Sequence, residues 1–475
     1  MDKTFKTVNI FFAIIVFFIV SIILLSTLVK EGMFMDGLIY STISRNISLG
    51  IGSLWYPKFT ETIYPIFNEH PPLVFGIQSL FFKLLGTSIY TERFYSFFTA
   101  IVTLFLIKKI WFLLFTDNTK HLWWYPVLLW IITPVVFWSY SNNMLECTMG
   151  IFTMLGVFFS IKYLKTESKI KYIYLFLISI SIVLGFLSKG FPALFPLTTI
   201  AIYWLIFKKP KFTNTLLSSL SILFIVIIIF YLIMLNTNVY NNLSTYFSSQ
   251  VMESISGSRN PGSRMFIIIR MMRELLPMFI FSTIIILIST KFKIRSIIKL
   301  ENNKIFFFSL FIGLSASLPV AISPKQMGFY IIPAFPFFAI AFASISVSYL
   351  KKWIQKIKKL KILKISTLVF VIILASTIYF SFGEYSRDKK SITDIKKLGN
   401  IIPENTKVSV YIDFYQNWGF ISYLYRYDFI SIDRDNINRP YYLMTKDKQM
   451  PEKNYKKVDV KFNEFDLYKK IENDK

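Results

Sequence analysis

The sequence predicts an all-α membrane protein with about eleven transmembrane helices, followed by a small α/β domain at its C-terminal end. Of its 475 residues, 54% are hydrophobic and 18% are aromatic. Uninterrupted apolar runs are long enough to cross a hydrocarbon core of about 30 Å, and short strand-like runs stand out after the last of them. A soluble multidomain protein is therefore not expected.

The apolar runs place the helices in order along the chain. The first run follows Lys3 and Lys6, is about 22 residues long and lacks a small-residue cleavage site, so we interpret it as a retained helix and not as a signal peptide. A further run, Leu73–Leu85, has only about 13 residues, which favours an interfacial or re-entrant helix. The predicted spans are residues 8–29, 93–112, 122–140, 147–164, 172–188, 191–207, 214–235, 265–290, 305–322, 327–350 and 365–382.

Basic residues set the expected orientation of these helices. The formal charge of +26 would suggest nucleic acid in a soluble protein, but much of the excess lies in short loops between apolar runs, so no nucleic-acid partner is expected. With a cytoplasmic N-terminus and a non-spanning Leu73–Leu85, every lysine cluster between spans lies inside, and the short outward loops hold only Lys189 and Lys325. If Leu73–Leu85 spanned the membrane, all later loops would change sides and the lysine clusters after it would lie outside. Lys108 and Lys109 lie within the second predicted span and must extend toward the membrane surface.

Three parts of the chain are then expected on the external side of the membrane. They are a first loop at residues 30–92, a polar loop at residues 236–264, and the segment after the last span. The predicted domains are a transmembrane domain, residues 1–382, and an extracytoplasmic α/β domain, residues 383–475.

The C-terminal domain is predicted from composition and periodicity. Residues 408–412 and 429–432 have the composition of short strands. They flank a stretch at residues 415–425 with helical periodicity. A strand, helix and strand in this order are typical of a small α/β domain.

Charged residues at the outer ends of the first helices form one group of candidates. Asp36 follows the first helix among apolar neighbours, either as a functional acid or as the N-cap of a short helix. Glu69 and His70 precede a pair of prolines that suit helix initiation. The prolines thus have a structural explanation, but Glu69 and His70 do not.

Further candidates lie at later external corners. Glu146 is at the outer mouth of the fourth span, either as an ordinary boundary carboxylate or as a functional acid. Lys189 is a cation in an apolar hairpin, on the side where lysines are normally rare.

A basic group is predicted at the outer end of the eighth span. It comprises Arg259, Arg264, Arg270 and Arg273, and Lys325 is a further outward cation. Guanidinium groups bind phosphate oxygens in bidentate geometry. Because Glu274 lies beside Arg270 and Arg273 on the same helix, pairing among these side chains is the competing interpretation.

Taken together, these residues indicate transfer chemistry on a lipid-linked phosphate. Carboxylates would take a proton from an acceptor hydroxyl, and cations would stabilise the departing phosphate. Two histidines and one cysteine leave little material for a His/Cys metal cage and exclude an intramolecular disulfide. No cofactor is assigned, and a divalent metal held by Asp36, Glu69 and Glu146 is left open.

The motifs resemble those of the GT-C glycosyltransferases of the protein O-mannosyltransferase and aminoarabinose transferase group. The resemblance covers residues 1 to about 350, and the motifs occur in family order. They are Asp36 after the first helix, Glu69-His-Pro-Pro-Leu73, Thr91-Glu-Arg-Phe94, Asn143-Met-Leu-Glu146, Leu187-Ser-Lys-Gly190, and Ser323-Pro-Lys325 with Tyr330-Ile-Ile-Pro333.

The resemblance implies a GT-C fold in a cell membrane, with an active site on the extracytoplasmic side. It implies a polyprenyl-phosphate-linked sugar donor, an acceptor hydroxyl on a lipid, glycan or protein, and inversion at the anomeric carbon. It implies a catalytic role for Asp36, as general base or acceptor-orienting acid, and for Glu146. The residues expected near the donor phosphate are Glu69, His70, Arg93, Lys189, Arg259, Arg264, Arg270, Arg273 and Lys325.

The sequence departs from the family pattern at three places. Gly37 stands where a second acid often follows Asp36, and Phe329 stands where an arginine often precedes the tyrosine of the tenth-helix motif. His70 matches the mannosyltransferase version of its motif, and a neutral imidazole would bind phosphate less strongly than lysine.

Two other classes of protein are alternatives. A lipid flippase or transporter would use the external cations as a binding station, but transporters usually keep charged or broken-helix sites near the bilayer midplane. An O-antigen-type polymerase or ligase would favour a larger external loop rich in arginine than residues 236–264 provide.

Overall fold

Helices make up most of this protein, as the apolar runs predict. The computed structural model describes residues 3–252, 265–290, 303–323, 326–357, 360–446, 448 and 454–471. The helices are α1 (Lys3–Leu28), α2 (Met35–Ser48), α3 (Leu73–Leu85), α4 (Ile89–Leu114), α5 (Trp124–Ile131), α6 (Pro134–Tyr140), α7 (Leu145–Lys165), α8 (Lys171–Lys189), α9 (Thr199–Phe207), α10 (Phe212–Met234), α11 (Thr237–Tyr246), α12 (Phe266–Thr290), α13 (Asn303–Ser317), α14 (Phe335–Ile354), α15 (Leu360–Ser381), α16 (Lys389–Gly399) and α17 (Trp418–Asp428). The strands are β1 (Lys407–Val410), β2 (Ser431–Asp433), β3 (Tyr441–Thr445), β4 (Tyr455–Lys457) and β5 (Phe465–Lys470).

Short irregular helices connect or extend these elements. Five are of the 3-10 type and one is a π-helical turn. They are Asn118–Leu122, Phe191–Thr198, Leu318–Ile322, Gly328–Ala334 and Ile412–Gln416, and the π-helical Phe247–Met252.

Nine helical segments in the described part of the chain are long and apolar enough to cross a membrane. Each of them coincides with a predicted span, which confirms a polytopic membrane protein. One bent pair of helices raises the number to ten if it is counted as a single span, so the observed number is slightly below the predicted one. The nine segments are Thr4–Leu28, Ile89–Leu114, Leu145–Lys165, Lys171–Lys189, Phe212–Met234, Phe266–Ser289, Asn303–Ile322, Gly328–Ile354 and Leu360–Ser381.

The third predicted span is the bent pair. Its first part, Asn118–Ile131, and its second part, Pro134–Tyr140, meet at 86°. The bend occurs at Thr133, which is extended with φ −78° and ψ 123° because the ring of Pro134 disfavours helical geometry in the preceding residue.

The sixth predicted span is also irregular. Residues Phe191–Thr198 form a 3-10 helix before α9 begins, and the two together are shorter than a regular span. Pro192 and Pro196 lack the amide hydrogens that a regular α-helix would use here.

Helix α3 has the bounds predicted for the interfacial helix. It runs from Leu73 to Leu85 and, with 13 residues, is too short for a regular span. Its length supports the prediction that residues 73–85 do not span the membrane.

By internal contacts the chain divides into two compact units. The membrane unit consists of residues 1–28, 69–74 and 96–381, and the second unit consists of residues 29–68, 75–95 and 382–475. In the membrane unit, the segment Gly328–Ile354 is central, because 83% of its most apolar 18-residue stretch is buried. The corresponding stretch of Leu360–Ser381 is only 6% buried, so that helix lies at the periphery of the unit. Helices α7 and α8 pack against each other along their length.

The second unit contains a five-stranded sheet in the order β2-β1-β3-β5-β4. Strand β1 pairs in parallel with β2 and β3, while β5 is antiparallel to β3 and β4. The predicted strand, helix and strand are therefore present as β1, α17 and β2. Helix α17 begins later than predicted because Ile412–Gln416 is a 3-10 turn and the Asn417 side chain caps α17 by accepting from the Phe420 amide.

Candidate active site

A buried ion pair joins two of the predicted residues in the membrane unit. Glu146 lies in the first turn of α7, and Lys189 is the last residue of α8. The Lys189 Nζ lies 2.6 Å from the Glu146 Oε1, and the two side chains are 8% and 0% exposed. An acid at a helix N-terminus and a cation at a helix C-terminus both complement the helix dipoles.

A glycine fixes the end of the helix that carries Lys189. Gly190 has φ +87° and ψ −146°, a backbone conformation that residues other than glycine rarely adopt. A Cβ at Gly190 would also collide with the hydroxyl of Tyr246, at the end of α11. The backbone turn after Lys189 therefore requires glycine both for its geometry and for space.

Two aromatic rings lie beside the Lys189 ammonium. Its Nζ is 5.7 Å from the ring centre of Phe329 and 5.1 Å from that of Tyr330. Both rings come from the 3-10 segment Gly328–Ala334. Aromatic faces attract cations, so these rings help to retain a buried positive charge. The residue that replaces the family arginine, Phe329, thus contacts the lysine.

An aromatic cavity of about 310 Å³ lies next to Phe329 in the same unit. The Trp138 and Phe329 rings stack with centres 5.7 Å apart. Of the lining residues, Arg270 is the charged one. The lining residues are Pro134, Val135, Phe137, Trp138, Phe266, Arg270, Gly328 and Phe329.

Arg270 is held in place by an acid on its own helix. Its Nη2 lies 2.6 Å from the Glu274 Oε1, and the other oxygen of Glu274 accepts a hydrogen bond of 2.8 Å from the Val135 amide. The pairing of Glu274 with Arg270, which the sequence offered as the alternative to phosphate binding, is therefore present. Glu274 is buried, whereas 43% of the Arg270 side chain is exposed, and Arg270 lines the cavity.

Of the other cations predicted for this group, the structure describes Arg273. Arg273 is exposed on α12. Arg259, Arg264 and Lys325 fall outside the residues that the structure describes.

Glu69 and His70 belong to the membrane unit and are half-buried. They stand just before the two prolines that precede α3. This position agrees with helix initiation by the prolines.

Asp36 and Arg93 lie in the second unit. Asp36 is in the first turn of α2 and is half-buried. Arg93 is buried and donates to three backbone carbonyls, those of Lys30 at 3.0 Å, Ile89 at 2.7 Å and Gly32 at 3.3 Å. These bonds fasten the segment that leads into α2, a role that the sequence did not predict.

A second buried group in the same unit was also not predicted. Arg45 donates to the carbonyls of Arg426 at 2.5 Å and Tyr425 at 2.9 Å, and it lies 3.8 Å from the Phe429 ring centre. Arg426 in turn pairs with Glu92 at 2.8 Å. Burial, followed by the nearby charge of Arg426, lowers the pKa of Arg45 to about 9.

This network ties α2, α4 and α17 together within the second unit. The available sequence signals were a lone arginine in α2 and an acid in the Thr91-Glu-Arg-Phe94 motif. Neither identifies a partner more than 300 residues away, since the Arg426–Glu92 separation is 334 residues.

A metal site is not assembled in the described residues. Within them, no group of three or more His, Cys, Asp or Glu side chains is placed to hold a metal ion.

Comparisons with known proteins support the motif resemblance. The family of dolichyl-phosphate-mannose-protein mannosyltransferases matches residues 69–235, a range that contains Glu69, His70, Arg93, Glu146 and Lys189. No curated protein sequence matches the chain.

Solved structures show the fold. ArnT from Cupriavidus metallidurans bound to undecaprenyl phosphate has a TM-score of 0.64 at 13% identity, over 95% of this chain and 96% of that one. Its apo form has a TM-score of 0.63 at 13% identity, over 94% and 95%. The apo oligosaccharyltransferase of Archaeoglobus fulgidus has a TM-score of 0.50 at 11% identity, over 92% and 65%.

The protein is thus a multi-pass membrane protein with the GT-C fold. Within that class, its likeness is to the group of ArnT and the protein mannosyltransferases, and the resemblance predicted from the motifs is confirmed.

Proposed function

We propose that this protein is an inverting membrane glycosyltransferase. It moves a sugar from a polyprenyl-phosphate donor to an acceptor hydroxyl at the external face of the cell membrane. The observation that carries the proposal is the buried Glu146–Lys189 pair, which Phe329 connects to an aromatic cavity bordered by Arg270.

The cavity has the chemistry that a prenyl phosphate requires. Aromatic walls suit an isoprenoid chain, and a guanidinium binds phosphate oxygens. Glu274 orients Arg270 without covering it, because 43% of the arginine remains exposed. The matching fold of ArnT, which was solved with undecaprenyl phosphate, supports this class of donor.

The proposed reaction is a single in-line displacement. The acceptor oxygen loses its proton to Asp36 and bonds to C1 of the sugar. The bond between C1 and the phosphate oxygen breaks on the opposite face, and the prenyl phosphate leaves with the electron pair. This order of events inverts the anomeric carbon.

The leaving phosphate gains negative charge in the transition state. Lys189 and Arg270 supply the compensating positive charge, and His70 lies in the motif expected near the same phosphate. Glu146 holds the Lys189 ammonium through their 2.6 Å contact and so fixes its position. Residues Arg259, Arg264 and Lys325 are expected to add to this group.

The external location rests on the loop charges. Lysine clusters lie at alternate ends of the spans, and cytoplasmic loops normally carry the excess of such residues. Glu146 and Lys189 occupy the ends without such clusters.

The first test is an Asp36→Asn variant. We expect the rate of transfer from a radiolabelled prenyl-phosphate sugar to fall by about 10²–10⁴-fold, because the amide cannot accept the proton. Asp435→Asn is the matched control, since Asp435 is exposed in the same unit. Full activity of the Asp36→Asn protein would refute the assignment of the base.

The sugar and the acceptor require a separate experiment. Mass spectrometry of envelope lipids, glycans and glycoproteins should be compared with and without the protein. Loss of one sugar from one class of molecule would identify the product, and a requirement for a pyrophosphate-linked donor would favour a polymerase or ligase instead.

A further inference from the structure

A basic cavity of about 360 Å³ lies at the other end of the membrane unit from the Glu146–Lys189 pair. Helix α7 connects the two ends: Glu146 is in its first turn, and Lys165 at its last residue donates to the carbonyl of Leu113 near the end of α4. Its 21 residues cover about 30 Å, the thickness of a bilayer core. The cavity therefore belongs to the opposite leaflet.

One wall of the cavity is apolar and faces outward. Ile10, Ile14 and Phe17 of α1 are 51%, 37% and 42% exposed, as expected for side chains that contact lipid chains. The full lining is Lys6, Asn9, Ile10, Ala13, Ile14, Phe17, Lys108, His121 and Trp123.

The other part of the cavity is basic. Lys6, Lys108 and His121 line it, and among the described lining residues none is acidic. The His121 Nε2 is buried and has no hydrogen-bond partner in the described part of the chain. By contrast, Asn9 is satisfied, since it donates to the Phe5 carbonyl and accepts from Trp124.

Lys108 shows why these cations gather here. It lies six residues before the end of α4, which corresponds to about 9 Å along the helix, so its side chain must extend toward the membrane surface. The ammonium rests 4.5 Å from the Trp123 ring centre, at the cavity, instead of extending freely into water. The sequence predicted that Lys108 extends toward the membrane surface, and in the structure its ammonium group lies beside Trp123.

We propose that this cavity binds the headgroup of an anionic glycerophospholipid. The phosphate contacts the Lys6 and Lys108 ammonium groups next to the His121 ring, while an acyl chain follows the apolar wall of α1. By the loop charges this is the cytoplasmic leaflet, whose anionic lipids attract basic residues. The site is separate from the donor site and does not depend on the proposed reaction.

Positive loops attract anionic lipid without any site, so the test must separate a cavity from general charge. The full-length protein in detergent is titrated with phosphatidylglycerol or with phosphatidylcholine of the same acyl chains, and bound lipids are counted by native mass spectrometry. The test variant is Lys6→Gln/Lys108→Gln. The charge-matched control is Lys109→Gln/Lys120→Gln, two lysines of the same region that do not line the cavity.

We expect the first phosphatidylglycerol to bind roughly tenfold more tightly than phosphatidylcholine, and the test variant to lose this preference. The control should retain it. A second variant, Ala13→Trp, fills the apolar part of the cavity without changing charge and should also abolish the preference.

Three results would overturn the proposal. The first is equal affinity of the wild-type protein for the two lipids. The second is a loss of the phosphatidylglycerol preference in the control variant as large as in the test variant. The third is an unchanged phosphatidylglycerol preference in Ala13→Trp. Unfolding temperatures of all variants are measured alongside. If the double variant does not fold, the wild-type preference and Ala13→Trp still decide the question.

Discussion

At the scale of residues, the buried ion pair between Glu146 and Lys189 affects both the stability of the protein and the position of the Lys189 ammonium. Both were predicted from their positions at helix ends, but their contact was not, because the pairing depends on how α7 packs against α8. Each side chain is nearly fully buried. Removing one partner leaves the other charge buried and unpaired, which costs more than removing both.

This contact leads to a prediction about stability. Lys189→Met should lower the free energy of unfolding by about 3–5 kcal/mol, whereas Glu146→Gln/Lys189→Met should recover a good part of that loss. Thermal and denaturant unfolding in detergent measures both values. Transfer activity should stay lost in the double variant, because the cation is absent. If the loss in the double variant equalled the sum of the losses in Lys189→Met and in Glu146→Gln alone, a direct ion pair would be contradicted.

Asp428 provides a test that depends on pH. Burial, reinforced by the nearby negative charge of Glu404, raises the pKa of Asp428 from its ordinary 3.8 to about 6. The folded protein therefore keeps a proton that the unfolded chain releases, and stability falls as the pH rises from about 4 to about 6.

Asp428→Asn removes this titration. The variant should match the wild-type protein near pH 4 and exceed its free energy of unfolding by about 1 kcal/mol at pH 7.5, once solvent screening is allowed for. Unfolding of the full chain at both pH values measures the difference. An advantage for asparagine that is the same at pH 4 and pH 7.5 would show that the carboxylate does not titrate in this range.

At the scale of elements, apolar length predicted most helices well. The bounds of Leu73–Leu85 agree with the structure because a short apolar run between polar segments has clear ends. The bend at Thr133 and the 3-10 segment Phe191–Thr198 were missed because hydropathy alone does not register a proline inside a run. Both breaks follow from prolines that are visible in the sequence.

The sheet was predicted less completely than the helices. β1 and β2 were found on either side of a helical stretch, but β3, β4 and β5 were not. Strand β3 pairs with β1 and with β5, and β5 also pairs with β4, so the stability of these strands comes from partners that a local window does not contain.

Gly190 allows the end of α8 to be tested. Gly190→Ala should reduce transfer activity and lower the unfolding temperature, because an alanine would be strained at φ +87° and would displace Tyr246. Activity assays and thermal unfolding measure the two effects. Removing the collision with Tyr246→Ala should not restore activity, since the backbone strain remains.

A helical glycine serves as the control for this prediction. At Gly150 of α7, a Cβ would have its nearest neighbour 3.9 Å away, so Gly150→Ala should fold and function. If Gly190→Ala were as active as Gly150→Ala, the turn would not be required to position Lys189.

At the scale of the whole molecule, sidedness remains the prediction on which the functional proposal depends. The protein offers a clean background for thiol labelling, because Cys147 is its single cysteine and is buried. Asn405→Cys in the second unit should react with a membrane-impermeant maleimide in intact cells. Ser168→Cys, between α7 and α8, should react only after lysis.

The control for labelling is the wild-type protein, in which Cys147 should remain unmodified in both conditions. Both positions are exposed, so failure to react reports the membrane barrier and not burial. Labelling of Ser168→Cys but not Asn405→Cys in intact cells would invert the topology and remove the basis for an external active site.

The 86° turn between α5 and α6 has a consequence for how a lipid donor would reach the aromatic cavity. Beyond the turn, Pro134, Val135, Phe137 and Trp138 line the aromatic cavity, and Phe266, which also lines it, is 47% exposed. The turn sets α6 nearly at right angles to α5, and side chains from α6 line the cavity. We expect the prenyl chain of the proposed donor to lie along these apolar side chains, with its phosphate at Arg270 and its tail kept out of water.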